Sequence, residues 1–172
     1  MIKTLPRLAL AIFAMMLASC ATTQRIAAAG DVHALLIAIR DNDRASFEAH
    51  IDRQALEAQL QSRLVARAGS LAEGWKTLGV ILSGPAAHAA GDLLLRPDVF
   101  RAVAEYYGYR PGTPIPNALV VAGALRGLPD GQVCATRGKG GPCLLTFADE
   151  AGTWKLVGFN GEAAMLRLAQ RG

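Results

Sequence analysis

Ser83, His88 and Asp92 bring a hydroxyl, an imidazole and a carboxylate close together in the chain, with the last two one helical turn apart. These are the groups of nucleophilic acyl transfer. The elbow that exposes such a serine needs Gly-x-Ser-x-Gly. Here Gly84 follows Ser83 directly and Gly79 stands four residues before it, so the spacing is wrong. A serine at a helix boundary and a surface histidine account for the same residues. His33, His50 and His88 are the only histidines, and no ligand spacing links them into a zinc site. The acidic pairs Asp41, Asp43 and Asp149, Glu150 lie in turn sequences, where carboxylates cap helices or stay solvated, so glycoside chemistry is unsupported. Arg137-Gly138-Lys139-Gly140-Gly141 has the composition of a phosphate cradle, but Pro142 and a β-rich run follow it instead of Lys-Ser/Thr and a helix. It reads as a hairpin tip. The sequence therefore predicts no catalytic residue, no metal and no cofactor.

One cluster has interface chemistry. Tyr106, Tyr107, Tyr109 and Arg110 precede the Pro-rich stretch Pro111 to Pro116. Aromatic and guanidinium groups are favoured at binding hot spots, and proline holds a loop in shape at low entropic cost. They form a candidate interaction surface. The alternative is that the tyrosines pack in the core and the loop merely crosses the sheet.

The N-terminus carries an address. Lys3 and Arg7 precede an uncharged run from Leu8 to Ala18, and Leu17-Ala18-Ser19-Cys20 closes it. The run is shorter than the roughly 20 apolar residues that span a bilayer. It resembles the signal peptide and lipobox of bacterial lipoproteins. The resemblance implies cleavage before Cys20 and acylation of its thiol and new amine, so that the partner of this segment is a membrane. Ala21, in place of Asp, implies the outer membrane, facing the periplasm. Residues 1–19 are then signal peptide, 20–30 a lipidated tether, and 31–172 a single domain. Lys3 and Arg7 leave with the signal, taking the formal charge from +4 to +2. No basic stripe interleaved with aromatics remains, so nucleic acid is not an expected partner. Acylation of Cys20 leaves Cys134 and Cys143 as an even pair in an oxidising compartment. The Gly-rich connection between them favours a disulfide over two buried thiols.

The elements follow from period and caps. Asp31 is a candidate cap for a helix over about 32–40, with Val32, Leu35, Leu36 and Ile39 on one face. Asp43 caps a second short helix carrying Phe47 and Ile51. Asp52 opens a third, to about Arg67, with Leu56, Leu60 and Leu64 in line. Ser70 to Glu73 has capping-box spacing before a helix to about Leu82. Pro85 and Pro97 each start another. Residues 118–125 fit a short helix capped by Asn117 better than a strand, with the choice open. After Asp130-Gly131 the period changes to two, and Gln132–Arg137, Cys143–Asp149 and Thr153–Asn160 read as strands. The expected fold is α+β: a helical N-terminal two-thirds, then a three-stranded antiparallel β-meander.

The stretches Ala38-Ile39-Arg40-Asp41-Asn42-Asp43, Phe47 and His50 to Leu56 resemble the opening of an uncharacterised bacterial family of small exported proteins with a domain of unknown function. Gly141 to Phe147 and Trp154 to Phe159 resemble its closing strands, for a coverage of about residues 30–160. That resemblance implies fold and location and no activity. The expected role is a membrane-tethered periplasmic, non-enzymatic binding or interaction module that engages an envelope protein. The alternatives are a carrier of a small apolar ligand and, last, an envelope hydrolase.

Overall fold

Helix α1 runs without interruption from Leu5 to Asp41. The computed structural model describes residues 5–69, 91–106, 108–136, 138 and 140–160, with side chains from Thr22 onward except those of 64, 65, 67–69 and 106. The stretch 20–30 is thus helical. Its alanines are strong helix formers, and no proline interrupts the chain between Leu8 and Asp41. Ala28 and Ala29, at 0 and 1% exposure, are core residues whose small side chains let α1 approach the sheet closely. Asp31 therefore lies inside α1 and has a different partner, described below.

Asn42, in the left-handed conformation at φ 57°, turns the chain out of α1. Asp43 caps α2 (Arg44–Ala49) by accepting the Ser46 N–H at 3.1 Å and the Ser46 hydroxyl at 2.6 Å. Asp52 caps α3 (Arg53–Gly69) through the Ala55 N–H at 3.0 Å. Ile51 was expected one helical turn beyond Phe47. It lies instead in the link between α2 and α3, where it bridges Leu156 in parallel. Pro97 opens α4 (Pro97–Tyr106), and Asn117 caps α5 (Ala118–Ala124) by accepting the Val120 N–H at 3.0 Å. The helix expected over 71–82 lies outside the described residues, and of the one expected from Pro85 only residues 91–94 are described, which are helical.

The sheet has four strands, which corrects the three expected: β1 (Leu125–Gly127), β2 (Val133–Thr136), β3 (Cys143–Glu150) and β4 (Thr153–Phe159), antiparallel in chain order. The additional strand is only three residues long and continues directly from α5, so its apolar Leu125 reads as helix. The Asp130-Gly131 turn joins it to β2, with Leu128 N donating to Gln132 O at 2.8 Å. Ala151 and Gly152, at φ 53° and 89°, make the tight β3–β4 hairpin.

Trp154 and Leu156 face the core, alternating with Lys155 and Val157. Burial alternates along the whole strand, with Gly158 also buried, but the pairing with β3 carries a bulge. Phe147 pairs with Leu156 but Thr146 with Gly158, so Val157 is an extra residue. Phe159, half-buried, packs against the central cluster. That cluster joins Val32 and Leu35 of α1, Phe47, Leu56, Val121, Leu125, Val133, Phe147 and Leu156. Phe47 meets Phe100 of α4 edge-on, with ring centroids 5.2 Å apart. Fully burying one such side chain contributes about 1.5–3 kcal/mol, so this cluster supplies the fold's main cohesive term.

The outer edge of β4 is sealed by the helices. Asp31 Oδ2 accepts the Trp154 N–H at 2.8 Å. The α2–α3 link exchanges Leu156 N to His50 O and Asp52 N to Leu156 O, both at 2.9 Å. Gln59 Oε1 accepts the Phe159 N–H at 3.0 Å, and Arg63 donates to the Phe159 carbonyl at 2.7 Å. The Arg63 guanidinium also lies over the Phe159 ring, 5.3 Å from its centroid. An open edge would template pairing with a second chain, and these contacts remove that template.

Candidate functional site

The C-terminal end of α1, the outer face of α4 and the loop behind α4 enclose an open cleft of about 410 Å³. Asp98, Arg101, Ala102 and Glu105 recur at helical spacing, which aligns them on one face of α4. Arg40 comes from the last turn of α1, and Tyr109, Pro111 and Gly112 from the loop.

Each wall is held by local chemistry. Gly108 N donates to Glu105 O and Tyr109 N to Ala104 O, both at 3.0 Å. This bond pair is a Schellman cap, and Gly108 supplies its left-handed residue at φ 98°. The cap fixes where Tyr109 leaves the helix. The Tyr109 hydroxyl donates to Thr113 O at 3.3 Å, and Thr113 N donates to Arg110 O at 3.0 Å, closing the loop on itself. His33 Nδ1 donates to the Pro116 carbonyl at 2.8 Å and ties the far end of the loop to α1.

The electrostatics are mixed. Arg40 grips Asp41 through two parallel hydrogen bonds of 2.7 and 2.8 Å. That grip holds the Asp41 carboxyl below the ordinary carboxylate range and pushes the Arg40 guanidinium up, with the nearby Tyr109 phenol adding to the latter. Arg101 lies 3.9 Å from Glu105, and Asp98 lies 3.3 Å from Arg96. The bidentate bond to Asp41 uses Arg40 Nε and Nη2. The cleft therefore presents guanidinium donors, carboxylate acceptors and a phenol.

Of the tyrosine cluster, Tyr109 lines the cleft, and Arg110 is exposed beside it. Tyr107 and the Tyr106 side chain lie outside the described residues. Arg40, Asp98, Arg101 and Glu105 were not singled out from sequence. The signal was present in the polar face of the helix behind Pro97, but Arg40 is brought to it only by the packing of α1 on α4.

The other candidate chemistry disperses. Ser83 and His88 lie outside the described residues, and Asp92 pairs with Arg53 at 3.2 Å. Arg53 also binds Glu48, lies 3.6 Å from Glu57 and donates to Leu95 O at 3.2 Å, so it staples α2, α3 and residue 95 together. Its hydrogen bond with Glu48 pushes its pKa up. His50 Nδ1 donates to Ser46 O at 2.7 Å, and its Nε2 lies 3.8 Å from Asp31. Asp149 accepts the Gly152 N–H at 2.8 Å, and Glu150 pairs with Lys155 at 2.8 Å. Cys134 and Cys143 form a disulfide, with Cα atoms 5.5 Å apart, across the β2–β3 hairpin; the glycines at its tip, Gly138 and Gly140, take φ of 80° and 77°. Arg126 donates to Cys143 Sγ at 3.3 Å. Cys20 sits within α1. No helix among the described residues is long and apolar enough to cross a membrane.

A family model described as a protein of unknown function (DUF2939) matches residues 9–103. No curated protein and no solved structure gives a significant match. The matched stretch covers more than half of the chain and runs from α1 into α4. It contains Arg40, Asp98, Arg101 and Ala102 of the cleft and ends before Glu105 and the loop. The expected coverage of about residues 30–160 is thus corrected: the match starts earlier, and the strands containing Phe147 and Trp154 lie beyond it.

Proposed function

The chain belongs to the DUF2939 family, whose function is unknown, and from that premise we propose that it is a membrane-tethered, non-enzymatic binding module of the cell envelope. The cleft among Arg40, Arg101, Glu105 and Tyr109 is the observation that carries the binding role. The guanidinium, carboxylate and phenol groups in its lining support a charged segment of an envelope partner as the occupant. The sequence Leu17-Ala18-Ser19-Cys20 supports the address. Cleavage before Cys20 and attachment of two or more acyl chains there give stable anchoring, since one chain alone binds only marginally. Ala21 favours the outer membrane, facing the periplasm.

Two experiments test the two halves. Cys20→Ser should move the protein from the membrane fraction to the soluble fraction, and unchanged partitioning would refute the anchor. A photo-crosslinking residue at Ala102 should capture a partner in cells. The adduct should vanish when Arg40 and Arg101 are both replaced by Ala and survive Arg126→Ala on the sheet. Capture that ignores the Arg40/Arg101 pair would refute the cleft as the binding site.

A further inference from the structure

The anchor residue and the cleft sit on the same helix. Cys20 and Arg40 are both in α1, which runs from Leu5 to Asp41 without a break. Twenty residues of helix at 1.5 Å each separate them by about 30 Å. A span of that length fixes the two ends relative to each other only if it does not bend, and α1 is braced over most of it. A Cβ placed on Gly131 would come 4.0 Å from Gln24 Nε2, so Gln24 lies beside the β1–β2 turn. Ala28, Ala29, Val32, Leu35 and Ala38 are buried in the core. Asp31 holds the Trp154 N–H, and His33 holds the Pro116 carbonyl. Sharp kinks arise at proline, Gly/Ser pairs or inserted groups. Between Cys20 and Arg40 the only such residue is the single Gly30. About one helical turn, some 6 Å, lies between Cys20 and Gln24.

We infer that α1 is a rigid strut. It holds the exposed β1–β2 turn at Pro129 and Asp130 next to the lipid surface and presents the cleft at the opposite end, so that the cleft engages a charged group in the aqueous compartment and not the headgroups around its own anchor. The orientation rests on the acylation of Cys20 proposed above. The strut itself does not.

The test separates the two. Spin labels are placed at Thr23→Cys and Arg40→Cys in the full chain carrying Cys20→Ser, with the Cys134–Cys143 disulfide retained. The expected distance distribution is narrow and centred at about 25 Å, seventeen helical rises from residue 23 to residue 40. A broad or shorter distribution overturns the strut. The acylated protein is then bound to vesicles bearing a headgroup-attached quencher, with a dye at Pro129→Cys or Ala102→Cys. The dye at 129 should be quenched several-fold more than the dye at 102. Equal quenching, or stronger quenching at 102, overturns the orientation. Protein that fails to float with the vesicles refutes the acylation and with it the orientation, while the spin-label distance still decides the strut.

Discussion

Asp31→Ala is the sharpest perturbation of the sealed β4 edge. Asp31 Oδ2 is the acceptor for the Trp154 N–H at 2.8 Å, and Trp154 is only 7% exposed. Removing the carboxylate leaves that N–H without its partner next to the core. An unsatisfied buried donor costs about 1–3 kcal/mol. At about 2–4 °C per kcal/mol for a chain of this size, the melting temperature should fall by roughly 2–12 °C. Asp31→Asn keeps an oxygen acceptor at the same place and should recover most of the loss. It removes the negative charge 3.8 Å from His50 Nε2, so it also reports what that charge contributes. The assay is thermal unfolding followed by circular dichroism, with light scattering to detect self-association through the opened edge. If Asp31→Ala is as stable as the parent, or Asp31→Asn is as damaging as Asp31→Ala, the hydrogen-bond account of the edge is wrong.

Other outcomes follow from the same geometry. Reducing the Cys134–Cys143 disulfide, whose cysteines are nine residues apart, should lower stability by about 2–3 kcal/mol, read as the difference between melts with and without reductant. Ala151 sits at φ 53°, a conformation that costs a non-glycine residue about 1–2 kcal/mol, so Ala151→Gly should raise the urea midpoint despite the extra chain entropy. Hydrogen bonds from Ser46, chiefly its hydroxyl, hold the Asp43 carboxyl below its ordinary value of 3.8. A lowered folded-state value means that the carboxylate's contribution is complete at pH well above 3.8 and is lost as the pH falls through the folded-state value. Asp43→Asn, measured as urea midpoint against pH, should flatten that acid limb and leave the region near neutrality parallel to the parent.

Caps and periods were readable from the chain because they are local. Asp43, Asp52, Pro97 and Asn117 stand at the helix starts assigned from sequence, and the three longer strands fall where alternation begins. β1 was missed because three residues are too few to show a period, although the Asp130-Gly131 turn implied a strand on each side of it. The helical state of residues 20–30 was missed because an alanine-rich stretch after a lipobox has the composition of a linker; its burial against the sheet is a tertiary fact. The bulge at Val157 is invisible to a period-two reading for the same reason. Of the cleft, Tyr109 and the Pro-rich loop were legible as a cluster. Arg40 was not, since its neighbours on α4 lie some sixty residues away along the chain.

Several hydrogen bonds that hold α1 and α3 in place join residues far apart in the chain. Asp31 waits 123 residues for Trp154, and His33 waits 83 for Pro116. Gln59 and Arg63 of α3 wait 100 and 96 for Phe159. Pairings this distant make for slow, high-contact-order folding. A chain emerging N-terminus first must therefore wait for the last hairpin before Asp31 meets the Trp154 N–H. Any product truncated before Trp154 leaves α1 without β4, one of the elements it packs against, which favours aggregation or proteolysis of such fragments.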